Sequence, residues 1–223
     1  MLIRLTTLFH FKASNGEDHL PIVEGLWDPR TGALRFLVLD IGNWLSEVDV
    51  LIATREMGEI DAEAKEWRTA LTHDAIEEAP RWTDRGHEMR GLALENWPPV
   101  IVGPFGSTYS PLLLEAQLFG HEEAPTARVS KVQDLDTISE WLRLPAFGED
   151  GELGRVEDFV MDTETRVMSH VIVERGHLFS KDHFVLPFET LRYRAEGHTH
   201  AVFDIDSAAL DKADRPDSLE LAG

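Results

Sequence analysis

The stretch Asp28-Pro-Arg-Thr-Gly-Ala-Leu-Arg-Phe-Leu-Val-Leu-Asp-Ile-Gly42 returns in pattern as Asp162-Thr-Glu-Thr-Arg-Val-Met-Ser-His-Val-Ile-Val-Glu-Arg-Gly176. Asp28 and Asp162, Thr31 and Thr165, and Gly42 and Gly176 are each 134 positions apart. The offset holds further along. Val50-Leu-Ile52 falls on Phe184-Val-Leu186, Leu71 on Ile205 and Ile76 on Leu210. Upstream, Gly16-Glu17 falls on Gly151-Glu152 at an offset of 135, so the first copy carries one extra residue before Asp28. A constant offset through turns and apolar runs alike marks two copies of one unit. Two copies are too few for a solenoid.

Each copy reads as a β meander. In the first, the strands are Leu8–Ala13, Ile22–Trp27, Ala33–Asp40, Val48–Ala53 and Glu66–Leu71. The turn Asp28-Pro-Arg-Thr-Gly32 has Asp, Pro and Gly at the positions a hairpin connection wants. Thr72 to Glu78 reads as a short helix capped by Thr72 and stopped before Pro80. In the second copy the strands are about Arg143–Phe147, Leu153–Met161, Val167–Glu174, His183–Pro187 and Thr199–Ile205, with a helix from Asp206 or Ser207. The expected fold is mainly β: two small barrels in tandem, each followed by a short helix and joined by a Pro/Gly-rich linker. The corresponding divisions are 1–80, a linker 81–136 that packs over the barrels, 137–212, and a frayed, flexible tail 213–223. Halves this small sit near the lower limit for an independent core, so they are expected to pack together or exchange with a second chain.

Composition removes whole classes of chemistry. With no Cys, disulfides, thiolate zinc, iron–sulfur clusters and a Cys nucleophile are excluded. The 41 Asp and Glu against 21 Lys and Arg give a formal charge of −20, which argues against nucleic acid and favours a basic partner or a cation. No apolar run is long enough for a membrane helix, so no membrane insertion and a cytoplasmic location are expected. Gly-rich phosphate loops, Gly-x-Ser-x-Gly and His-Glu-x-x-His are missing, and His121-Glu-Glu-Ala-Pro125 lacks a second His.

The residues Asp150-Gly-Glu-Leu-Gly-Arg-Val-Glu-Asp158, Asp162-Thr-Glu-Thr165 and Val171-Ile-Val-Glu174 together resemble the PRC-barrel family. The first copy shows the same pattern through Asn15-Gly-Glu17, Arg35-Phe-Leu-Val-Leu-Asp-Ile-Gly-Asn-Trp44, Val50-Leu-Ile52 and Leu71-Thr-His-Asp-Ala-Ile76. Leu94-Glu-Asn-Trp-Pro-Pro99 is similar to the segment between copies in tandem members. His19-Leu-Pro21 stands where the family has its second Gly, and Pro21 implies an edge or a bulge there. The family includes the cytoplasmic domain of the photosynthetic reaction-centre H subunit, whose membrane helix has no counterpart in this sequence. The resemblance implies a tandem member that takes part in protein–protein interaction and catalyses no known reaction.

Candidate residues follow from this reading. His198 and His200, at the start of an expected strand, share a face and could form a metal pair, although solvated edge histidines are the plainer account. Glu17, Glu152, Asp28 and Asp162 sit in turns, where carboxylates cap backbone N–H groups. Glu56, Glu59, Asp61, Glu63 and Glu66 read as a solvated acidic face or a dock for a basic partner. Trp27 and Trp67 are expected in the core, and Trp44, Trp82 and Trp97 are candidates for an interface. No catalytic residue and no cofactor are expected. The leading expectation is a non-enzymatic interaction or scaffold module that binds another protein or itself as a homodimer. The alternatives are a metal- or proton-handling module of reaction-centre H type and a ribosome-assembly accessory.

Overall fold

The computed structural model describes residues 1–42, 48–82, 101–102, 108–109, 135–177, 180–195, 197, 199–219 and 221–222. Its strands in chain order are β1 Leu2–Arg4, β2 Lys12–Ser14, β3 His19–Asp28, β4 Ala33–Asp40, β5 Asp49–Ala53, β6 Met57–Asp61, β7 Glu66–Thr69 and β8 Arg81–Trp82. There follow β9 Ile101–Val102 and β10 Thr108–Tyr109, an antiparallel ribbon, and β11 Asp136–Thr137. The remainder are β12 Pro145–Gly148, β13 Gly151–Asp162, β14 Val167–His177, β15 Ser180–Pro187, β16 Leu191–Arg194, β17 Ala201–Phe203 and β18 Leu221–Ala222. Three short helices stand among the described residues: α1 Leu5–Leu8, α2 His73–Glu77 and α3 Ser207–Leu210. The protein is mainly β. None of these helices is long and apolar enough to cross a membrane.

The apolar runs build two meanders. β3, β4 and β5 pair antiparallel in order, and so do β13, β14 and β15. The turns between the long strands use the chemistry read from the sequence. Asp28 Oδ1 accepts from the Arg30 N–H at 3.0 Å, and Asp162 Oδ1 accepts from Glu164 and Thr165 at 2.8 and 3.1 Å. These backbone donations hold the Asp162 carboxyl below its ordinary value. Each meander is then closed by a parallel pair, β2 with β7 and β12 with β17. Thr72 caps α2 by accepting from the Ala75 N–H, and Asp206 caps α3 by accepting from Ala209.

The two halves meet at one local two-fold. Ala33 pairs with Val167, its own counterpart at the 134-residue offset. Around that bridge the Leu34 N–H donates to Arg166 O at 2.9 Å and the Met168 N–H donates to Gly32 O at 2.8 Å. Adding 134 to Leu34 and Gly32 gives Met168 and Arg166, so each bond is the image of the other. The result is a continuous sheet running through both halves.

One apolar core fills both halves. Trp27, Trp67, Phe11, Phe159, Phe184 and Phe203 are all buried in it, together with Ile3, Leu5 and Leu8. Trp27 packs against Trp141, Phe159 and Phe188 with ring centroids 5.1, 4.9 and 5.8 Å away, so a first-half indole is enclosed by second-half rings. Gly154 has φ +145°, and a Cβ there would lie 2.2 Å from Glu174 O. Only glycine fits that approach. In the first half Pro21 stands one residue beyond the last β3–β4 pair, Ile22 with Leu39, where the ladder asks for no donor on that side.

Several expectations need correction. Leu8–Ala13 is not one strand: Leu5–Leu8 turns helically, and only Lys12–Ser14 pairs. The acidic segment Met57–Asp61 is a strand, β6, pairing with β7. The tail after residue 213 is docked: Val185 bridges Asp214, Pro216 is buried, and β18 pairs parallel with β1. Ladder bonds and an apolar contact outweigh its charged composition. His200 precedes β17, which is shorter than the expected Thr199–Ile205, so the same-face argument for His198 and His200 fails.

Candidate functional site

The sequence reading missed how the halves complete one another. β1 pairs antiparallel with β13 of the second half, Ile3 opposite Met161 and Arg4 opposite Val160. β11 pairs antiparallel with β3 of the first half, Asp136 opposite Trp27 and Thr137 opposite Leu26. The opening segments of the two copies are therefore exchanged, at an offset of 133 from Ile3 to Asp136. Their following turns match as well. Phe9 N–H donates to Leu5 O as Leu142 N–H donates to Ile138 O, and Phe11 N–H donates to Leu8 O as Leu144 N–H donates to Trp141 O.

Each exchanged arm is latched by an acid, buried at Asp158 and half-buried at Glu24. β3 bulges between Ile22 and Glu24, and β13 bulges between Val156 and Asp158. A bulge adds one residue and re-aims the side chain that follows it. The Asp158 carboxylate, 1% exposed, accepts from the Thr6 and Phe159 N–H groups at 3.2 and 2.8 Å and from the Thr6 hydroxyl. Glu24 accepts from the Gly25 N–H at 2.8 Å and the Ser139 N–H at 3.4 Å. Thr6 and Ser139 are counterparts, as are Glu24 and Asp158. Burial lifts both carboxyls above their ordinary values, against the donations that pull them down. The signal in the sequence was an acid at matching positions within two apolar strands.

This latch has a pH signature. A folded-state value raised above the unfolded one gives stability that is complete below the unfolded value and is lost as pH rises through the folded one. In Asp158→Asn, the amide oxygen can take both N–H donors and its NH2 can face the Thr6 hydroxyl. Wild type is therefore expected to lose stability relative to Asp158→Asn as pH rises from about 4, read by urea melts at several pH values. Asp158→Ala, which strands the Thr6 and Phe159 donors, should cost about 1–3 kcal/mol. A wild-type advantage over Asn that grows with pH would contradict the assignment.

The second half also gathers metal-ligating side chains. Glu157, Glu174 and His183 bring their ligand atoms within 4.8 Å of one another. Glu174 and His183 are a cross-strand pair on β14 and β15, with Oε2 and Nε2 3.4 Å apart, and Glu157 is the extra residue of the β13 bulge. Lys181 Nζ, 2.8 Å from Glu174 Oε2, holds that carboxyl below its ordinary value. His200 lies elsewhere, with Nδ1 3.0 Å from Thr199 Oγ1 and its ring edge against Phe147. His198, Trp44 and Trp97 lie outside the described residues. Trp82 is half-buried against the Leu26, Phe36, Val38 and Leu51 cluster.

Part of the acidic run has partners within the chain. Glu56 pairs with Arg55, Asp61 with Arg68 and Glu66 with His19. Glu59 and Glu63 remain exposed. The same holds for cations elsewhere: Arg30, Arg175, Lys181, Arg192, Arg194 and Arg215 all stand in ion pairs. Arg194, 5% exposed, reaches Asp136 at 3.0 Å and Glu140 at 3.2 Å and lies over the Trp141 ring, fastening the second arm.

Comparison with known families bears on this half. Residues 133–208 match the PRC-barrel domain. The match begins just before the arm strand β11 and ends within α3, so it takes in the second meander, its bulge and the Glu157–Glu174–His183 cluster. It covers about a third of the chain. Among curated proteins none matches.

Proposed function

We propose that the chain is a non-enzymatic docking body made of two PRC-type barrels that binds a basic protein through its acidic surface. The second barrel has the support of the match over 133–208. The first has the support of equivalent pairings: Met57 with Thr69 against Leu191 with Phe203, and Leu51 N–H to Pro80 O against Val185 N–H to Asp214 O. The observation that carries the function is electrostatic. With a formal charge of −20, and with the cations named above already paired to carboxylates of the same chain, the remaining surface field is negative. Such a field steers and selects basic partners and weakens with salt.

The test is affinity capture with the full chain, at low and high salt, alongside a Glu59→Gln, Glu63→Gln variant. Basic proteins retained at low salt, released at high salt and held less by the variant are the expected result. Identical capture by both proteins, independent of salt, would count against the reading.

A further inference from the structure

We propose that Glu157, Glu174 and His183 form a surface site for one divalent first-row transition ion, of which Zn²⁺ is the natural probe. The site stands apart from the docking reading, since it rests on three side chains of one meander and not on the overall charge. Two carboxylates and one imidazole match the hard and borderline donors such ions take. Consecutive strands β13, β14 and β15 supply one ligand each, so the backbone fixes their spacing. Ligand atoms around one ion at roughly 2.0–2.2 Å lie about 3–4 Å apart. The three ligand atoms, within 4.8 Å of one another on exposed or half-buried side chains, stand close to that spacing.

The imidazole sets this cluster apart from the chain's many carboxylates. The corresponding first-half positions are Val23, Asp40 and Asp49, with Asp40 and Asp49 paired across β4 and β5 just as Glu174 and His183 are across β14 and β15. The cross-strand acid pair of the first half is thus matched by Glu and His in the second, and the bulge residue is Glu in place of Val. Turn and ladder geometry do not require that change, because the first half makes the same bulge and ladder without it. Two cations bear on the site: Lys181, bound to Glu174, and Arg155, opposite Glu174 in register. An arriving ion displaces Lys181 from the carboxylate and leaves the remaining coordination positions to water.

Calorimetric titration of the full chain with Zn²⁺ at pH 7.5 tests this. We expect one ion per chain, at least tenfold weaker binding in His183→Ala and in Glu157→Gln, and unchanged binding in His200→Ala. Glu157 is exposed, so its variant keeps the test valid if His183→Ala fails to fold. Lys181→Gln is expected to strengthen binding several-fold, which loss of structure would not do. No binding up to about 1 mM, or equal binding by parent and Glu157→Gln, would overturn the proposal.

Discussion

Deleting residues 1–8 is expected to unfold the second half of the protein along with the first. The segment carries Ile3, Leu5 and Leu8, each fully buried in the common core. At about 1.5–3 kcal/mol for each buried side chain, these contribute about 5–9 kcal/mol. A domain of this kind has a total stability of about 5–15 kcal/mol. The loss is also structural, because β13 would lose the β1 ladder and Asp158 would lose the Thr6 donors. Circular dichroism and heteronuclear spectra of the truncated chain provide the readout. A truncated protein whose residues 145–210 keep native spectra would show that the arm belongs to the first half alone.

The second large effect is expected at Trp27. Trp27→Ala removes an indole with no exposed surface from between Trp141, Phe159 and Phe188, at a cost of about 3–5 kcal/mol. Because the rings around it come from the other half, the loss should lower both halves in a single transition. Trp27→Phe should cost less, since the Trp27 Nε1 has no hydrogen-bond partner among the described residues. Denaturation followed by far-ultraviolet dichroism and by fluorescence decides it. Two separated transitions, with only the first moved by Trp27→Ala, would refute the shared core.

The two meanders were legible because they rest on long signals. Leu34 to Leu39 and Val167 to Val173 are predominantly apolar stretches that read as covered strands, and the turns at Asp28 and Asp162 hold their capping acids in place. Burial of Trp27 and Trp67 followed from their strands. The arms were not legible. β1 is three residues and β11 is two, too short for periodicity, and their partners lie far away in sequence. Their offset also slips from 134 to 133, with Leu2 and Leu135 the one identical pair between residues 1–8 and 134–141 and only similar types at Leu5 with Ile138 and Thr6 with Ser139. Composition misled at Met57–Asp61, where charged residues sit on a strand because ladder bonds ask nothing of an outward side chain, and at the tail, where Leu221–Ala222 pairs with β1 despite charged neighbours. For the site, the histidines pointed to the second half, but the pair His198 and His200 depended on a strand start that lies further along. His183 and Glu174 meet through register, which a linear pattern does not display.

The exchange of arms within one chain is the claim on which the shared core, the latches and the docking body depend. The direct measurement is the set of interstrand nuclear Overhauser contacts joining Ile3 to Met161 and Asp136 to Trp27, taken on a uniformly labelled sample and on a mixture of labelled and unlabelled chains. The account predicts both contacts in the first sample and no intermolecular signal in the second. Absence of either contact, or its appearance between chains, would contradict it.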